Sequence, residues 1–105
     1  MNIDGFADLQ RRLYLLAVKK NNDYGDNNIT KFGLKGVVVR LSDKIERLIQ
    51  LVWNERDVKV SDEKIEDTLM DIANYGMIGY LVLNNDWETT NENKNTIEQT
   101  KTNEG

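Results

Sequence analysis

From position 69 to 83 the sequence LMDIANYGMIGYLVL is apolar on nearly every side of a helix, Asp71 and Asn74 being the clearly polar exceptions beside the tyrosine hydroxyls. At fifteen residues it is too short to span a bilayer, which takes about 20, so it is expected to be a helix buried on several sides. A chain of 105 residues holds one small domain, and the other two long helices that its pattern supports cannot cover such a cylinder alone. Gly76 and Gly79 let another backbone approach closely, at a cost in helix propensity of roughly 1 kcal/mol each against alanine. The expected architecture is all-α, a small bundle of about three main helices assembled as an oligomer through its last helix.

The first helix is expected from Asn2 or Asp4, either able to cap free backbone N–H groups, to about Lys20, with Phe6, Leu9, Leu13 and Leu16 on one face. Lys19 and Lys20 suit the negative end of its dipole. NNDYGDNN, from 21 to 28, is rich in residues that favour turns and left-handed backbone and is expected to be a loop. Leu34, Val38, Leu41, Ile45, Leu48 and Val52 then recur at alternating spacings of four and three, the seam of one helix from about 34 to 54 that runs straight through Ser42. The last helix is expected to start after Ser61, whose side chain can cap it, and to run to about Leu83.

Composition changes near Asn84. In the segment 86–105, DWETTNENKNTIEQTKTNEG, Trp87 and Ile97 are the large apolar side chains and acids outnumber bases five to two. It is expected to be a disordered polar tail whose removal leaves the fold of 1–85 unchanged. The remainder carries thirteen acids against twelve bases, which argues against a dedicated DNA-binding surface, since such a surface would be strongly basic. The N-terminus lacks the basic-then-apolar run of a secretory signal and the chain has no cysteine for a disulfide framework, so the cytoplasm is the expected compartment and no membrane is a partner.

With no histidine and no cysteine, imidazole acid/base catalysis, thiolate nucleophiles and the usual zinc cages are excluded, and any metal must be held by oxygen. Glu63, Asp67 and Asp71 fall at i, i+4 and i+8 of the last helix and line one face, which Asn74 extends. Glu63 and Asp67 equally suit a solvated face. Asp71 sits among apolar neighbours, where an unpaired carboxylate costs several kcal/mol, so it needs a cation, a metal or strong hydrogen bonds. The middle helix supplies Arg40, Lys44 and Arg47 at i, i+4 and i+7, with Asp43 and Glu46 interleaved. Two arrangements fit: Lys44 or Arg47 neutralises Asp71 across the helix interface, or the carboxylates hold Mg²⁺ while the cations hold the phosphates it bridges.

Taken in order, KNNDYGDN, FGLKGVVVRLSDKIERLIQL and SDEKIEDTLMDIANYGMIGYLVL resemble the phage-enriched family called nucleotide modification associated domain 1, over roughly 19–83. That family is usually grouped with the MazG-like, all-α nucleoside triphosphate pyrophosphatases. The resemblance implies a dimer or tetramer that acts on nucleotides with Mg²⁺. Its DYG motif corresponds to Asp23, Tyr24 and Gly25, its RLxDKxxRL helix to Arg40, Asp43, Lys44 and Arg47, and its ExxxDxxxDxxNY helix to Glu63, Asp67, Asp71, Asn74 and Tyr75. MazG-like enzymes carry an ExxE and an ExxD pair; here the first is Asp43-x-x-Glu46, and Thr68 stands three residues before Asp71, so the acids sit four apart instead.

The leading expectation is a phage-type, Mg²⁺-dependent nucleoside triphosphate pyrophosphohydrolase that releases a monophosphate and pyrophosphate in the host cytoplasm. Glu63, Asp67, Asp71 and Asp43 would be the metal ligands, and Lys44 and Arg47 the catalytic cations that offset charge on the phosphoryl oxygens. Asp23, Tyr24, Gly25, Arg40 and Asn74 would bind the nucleotide, with Tyr24 stacking on its base. The alternative is a non-catalytic module that binds or sequesters a nucleotide, and a helical oligomerisation domain is a third reading. A requirement for metal separates the first two, because a pure binder of anions is better served by arginine and lysine than by a row of carboxylates.

Overall fold

The computed structural model describes residues 1–54 and 58–88, with 58–62 described by their backbone alone. Four helices follow one another, α1 (Ile3–Tyr24), α2 (Asp26–Thr30), α3 (Gly33–Trp53) and α4 (Val58–Leu83), and the described residues contain no strand. No helix among them is long and apolar enough to cross a membrane.

α1 is capped as expected, Asn2 Oδ1 accepting the Gly5 N–H at 2.9 Å, but it runs past Lys20 to Tyr24. The stretch expected to be a loop, 21–28, is instead the last turn of α1 and most of the short α2. Gly25 makes the corner: its φ of +79° is open to glycine and strained for other residues, and its N–H still bonds the Asn21 carbonyl at 2.7 Å. Asn21 Nδ2 donates to Asp26 Oδ1 at 2.7 Å across the break. The polar residues that suggest a turn therefore bond to one another around a corner between two helices. α4 likewise begins at Val58, ahead of the expected cap at Ser61, since nothing in Val58-Lys59-Val60 interrupts a helix.

α3 and α4 pack antiparallel. Gly79 lies so close to α3 that an added Cβ would come within 3.3 Å of Val37 Cγ1, and further along Lys44 reaches Asp71. α3 is unbroken through Ser42, as its spacing predicts, yet its inward face is rotated from the expected seam. Val37 is 1% exposed, and Arg40, Leu41, Lys44, Leu48 and Leu51 are partly buried beside it. Leu34, Val38, Ile45 and Val52, four of the six seam residues, stay exposed together with Ile49. The rotation turns Lys44 towards α4, where it pairs with the partly buried carboxylate of Asp71.

α1 meets α4 where Asn74 Nδ2 donates to the Leu13 carbonyl at 3.2 Å, and its N-terminal half overhangs that contact, leaving Phe6 and Leu9 exposed. Leu13 and Val37 are the buried apolar side chains among the described residues, a small core for a chain that must offset roughly 1–2 kcal/mol of backbone entropy per residue. α4 presents Leu69, Ala73, Gly76, Met77 and Tyr80 to solvent along one stripe. At Gly76 an added Cβ would meet nothing within 4 Å.

After α4 the backbone reverses. Asp86 N–H bonds the Leu81 carbonyl at 2.8 Å and Asn85 N–H bonds that of Val82 at 3.2 Å, with Asn85 in the left-handed region at φ +58°. The chain is thereby returned to α2, where Trp87 Nε1 donates to the Asp26 carbonyl at 3.2 Å and the Thr30 hydroxyl donates to Glu88 Oε1 at 2.9 Å. The tail expected from residue 86 thus gives its first residues to the fold, because one indole finds both an apolar wall and an acceptor there. The rest of that segment, 89–105, lies outside the described residues.

Candidate functional site

The C-terminal end of α1, the middle of α3 and of α4, the α2 corner and the returning Trp87 enclose a cleft of about 290 Å³, near the lower end of the roughly 300–1,000 Å³ usual for small-molecule sites. Asp71, its side chain 14% exposed, enters from α4. Lys20 Nζ of α1 lies 2.7 Å from its Oδ1 and Lys44 Nζ of α3 lies 2.9 Å from its Oδ2. Burial alone would raise the carboxyl pKa; the two ammonium groups more than offset that and hold it below its ordinary value. The sign follows directly: the pairing contributes its full stability above about pH 4, the ordinary aspartate value, and loses it as the pH falls through the lowered pKa.

Arg40, one turn before Lys44, donates from Nη2 to the Asn28 carbonyl at 2.9 Å and to Asn28 Oδ1 at 3.3 Å, which ties α3 to the α2 corner and brings a third cation to the cleft. Tyr24, 70% exposed, stands at the lip. Two acceptors in the wall are buried without a hydrogen-bond partner, Asn21 Oδ1 and Asn74 Oδ1.

Of the residues expected to form the site, the structure brings together Tyr24, Gly25, Arg40, Lys44, Asp71 and Asn74. Asp23, Asp43, Arg47, Glu63 and Asp67 are exposed and outside the cleft walls. The partner expected for Asp71 on α3 is Lys44 and not Arg47, and Lys20 is its second partner. Thr68 is 2% exposed and donates its hydroxyl to the Lys64 carbonyl at 2.7 Å, so that position brings no acid to the cleft.

In this structure the carboxylate of Asp71 is engaged by two lysines. Both of its oxygens are occupied by ammonium groups, and among the described residues no group of three or more carboxylates stands close enough to share an ion. Mg²⁺ is usually held by one or two carboxylates together with waters and substrate phosphates; to take part, Asp71 would have to exchange a lysine for the ion.

Three contributors have no role in the motifs as expected: Lys20 and Asn21, which open the KNNDYGDN run, and Trp87. A signal for the first existed. Leu13, Ala17, Lys20 and Tyr24 are spaced four, three and four, so the inward-turned stripe of α1 continues to the cleft past the point where its apolar residues stop.

A family model described as nucleotide modification associated domain 1 matches residues 20–83. The chain belongs to that family. Within this nucleotide modification associated domain fall all three cations, Asp71, Asn21 and Asn74, whereas Trp87 lies beyond its matched end. No curated protein and no solved structure matches the chain.

Proposed function

We propose that this nucleotide modification associated domain binds a nucleotide in the cleft, with the phosphates held by Lys20, Arg40 and Lys44 and without a resident metal. The observation that carries the reading is the charge of the walls, three cations against the one carboxylate of Asp71. Arginine supplies a planar fork for phosphate oxygens and lysine a compact point charge, and neither needs a metal to bridge it to an anion. Tyr24 at the lip offers a ring on which a base can stack.

The binding module, second among the sequence expectations, is therefore favoured over the Mg²⁺-dependent pyrophosphohydrolase. A MazG-like ancestry, a phage origin, action in the host cytoplasm and assembly of two or four copies belong to the same proposal. The exposed apolar stripes of α3 and α4 support the assembly.

The test is to incubate the purified protein with a panel of nucleoside triphosphates and Mg²⁺ while measuring bound nucleotide, monophosphate and pyrophosphate. Saturable binding of at least one nucleotide with no product above the protein-free control is the expected outcome. Pyrophosphate release in proportion to protein would replace the binder with the hydrolase.

A further inference from the structure

Trp87 lies outside the stretch matched by the family model and outside every motif that suggests a nucleotide site, yet it is a wall of the cleft. Its place is fixed from two sides. The left-handed turn at Asn85 sends the chain back over α2, and the indole N–H is anchored on the Asp26 carbonyl at 3.2 Å. One residue on, Glu88 accepts the Thr30 hydroxyl at 2.9 Å. An indole whose single polar group is already satisfied has nothing left to offer a ligand but its π surface.

The remaining walls sort along the cleft. Lys20, Lys44 and Asp71 gather where α1, α3 and α4 meet, whereas Trp87 joins Ile29 of α2 and Ile78, two turns further along α4 than Asp71. The two lysines mark one end, and the aromatic and aliphatic walls mark the other, where Arg40 is tied to Asn28 beside Ile29. A phosphate ester of a planar ring system is a molecule with that polarity.

We propose that Trp87 is the base-stacking wall of the site, so that the segment 86–88 completes a ring-binding subsite distinct from the phosphate-binding cations. The inference rests on the nucleotide-binding reading and deepens it by assigning the base to the Trp87 end. Stacking of a base on an aromatic side chain is worth about 1–3 kcal/mol, which converts to a loss of roughly 5- to 150-fold in affinity when the ring is removed.

Two probes keep this inference separable from the reading beneath it: a nucleoside triphosphate, which has both ends, and inorganic tripolyphosphate, which has only the charged one. Trp87→Leu is expected to weaken the nucleoside triphosphate by the factor above and to leave tripolyphosphate within twofold of the wild type, while Trp87→Phe recovers most of the loss. Because the chain has two tryptophans and Trp53 is 77% exposed at the end of α3, Trp53→Phe leaves Trp87 as the sole indole emitter. In that background the nucleoside triphosphate is expected to quench the fluorescence saturably and tripolyphosphate is not. Equal losses for both probes in Trp87→Leu would make the indole a structural prop and overturn the proposal, as would an unchanged nucleoside triphosphate affinity. Failure of tripolyphosphate to bind the wild type, with the base-dependent quench intact, would strike the phosphate assignment and leave Trp87 standing.

Discussion

Asp71→Asn is expected to destabilise the metal-free protein by about 1–3 kcal/mol, a fall in melting temperature of roughly 4–8 °C for each kcal/mol in a domain of this size. The substitution keeps the shape of the side chain and removes the charge that lies between two ammonium groups 2.7 and 2.9 Å away. Stranding cations in a fully buried pair costs about 3–5 kcal/mol. Here Lys44 is 32% exposed and Lys20 48%, so solvent screens part of that penalty and the lower figure applies. Tripolyphosphate added to the variant should restore much of the loss by taking the place of the missing carboxylate between the lysines. A cluster of carboxylates poised for Mg²⁺ predicts the opposite sign, because removing one of several like charges relieves repulsion. Melting curves of both proteins, with and without Mg²⁺, separate the two: a variant as stable as the wild type or more so, together with a Mg²⁺-dependent rise in the wild type, would contradict the ion-pair assignment.

The second large effect concerns assembly. With Leu13 and Val37 the buried apolar side chains among the described residues, the chain leaves Val38, Ile45, Ile49 and Val52 of α3 and Leu69, Met77 and Tyr80 of α4 in contact with water. Patches of that extent mark association surfaces on soluble proteins. A second copy is the proposed occupant, since each stripe is apolar along several turns and carries the close spacing that lets helices pack lengthwise. Sedimentation at micromolar concentration is expected to give a species of at least two chains, each of 12.2 kDa. Ile45→Glu or Met77→Glu should convert it to monomers with a much lower melting temperature, because folding and association are linked. A wild type that sediments as a stable monodisperse monomer would contradict the proposal.

Much of the fold is legible in the sequence, and the limits of that legibility have physical causes. The 3.6-residue periodicity of the long segments locates α1, α3 and α4, and the absence of a breaker at Ser42 keeps α3 whole. Periodicity cannot choose between two adjacent faces of α3, because Val37 and Val38 are equally apolar; the choice is made by the need of Asp71 for Lys44, a contact between residues far apart in the chain. The α2 corner escapes for a related reason. Asparagine and aspartate favour turns in isolation, but Asn21 and Asp26 satisfy each other across Gly25 and allow helix on both sides.

In the site, the motif residues Tyr24, Arg40, Lys44, Asp71 and Asn74 converge, whereas the carboxylate row does not act as a unit. Glu63, Asp67 and Asp71 share one helical row, but a helix spirals relative to the neighbours it packs on, so the row runs from solvent at Glu63 and Asp67 to the interior at Asp71. Lys20 opens the family stretch and Trp87 lies beyond its end, and tertiary structure brings both to the cleft.

The most direct measurement is calorimetric titration of the wild type with the nucleoside triphosphate that binds best, carried out in excess EDTA and again in Mg²⁺. A cleft that holds phosphates on Lys20, Arg40 and Lys44 predicts saturable binding in EDTA, an affinity that falls as salt is raised because the attraction is ionic, and a loss of at least tenfold in Lys20→Met/Lys44→Met. Mg²⁺ should leave that affinity the same or weaken it by neutralising the ligand. Binding that vanishes in EDTA and returns with Mg²⁺, indifferent to the lysines, would contradict it.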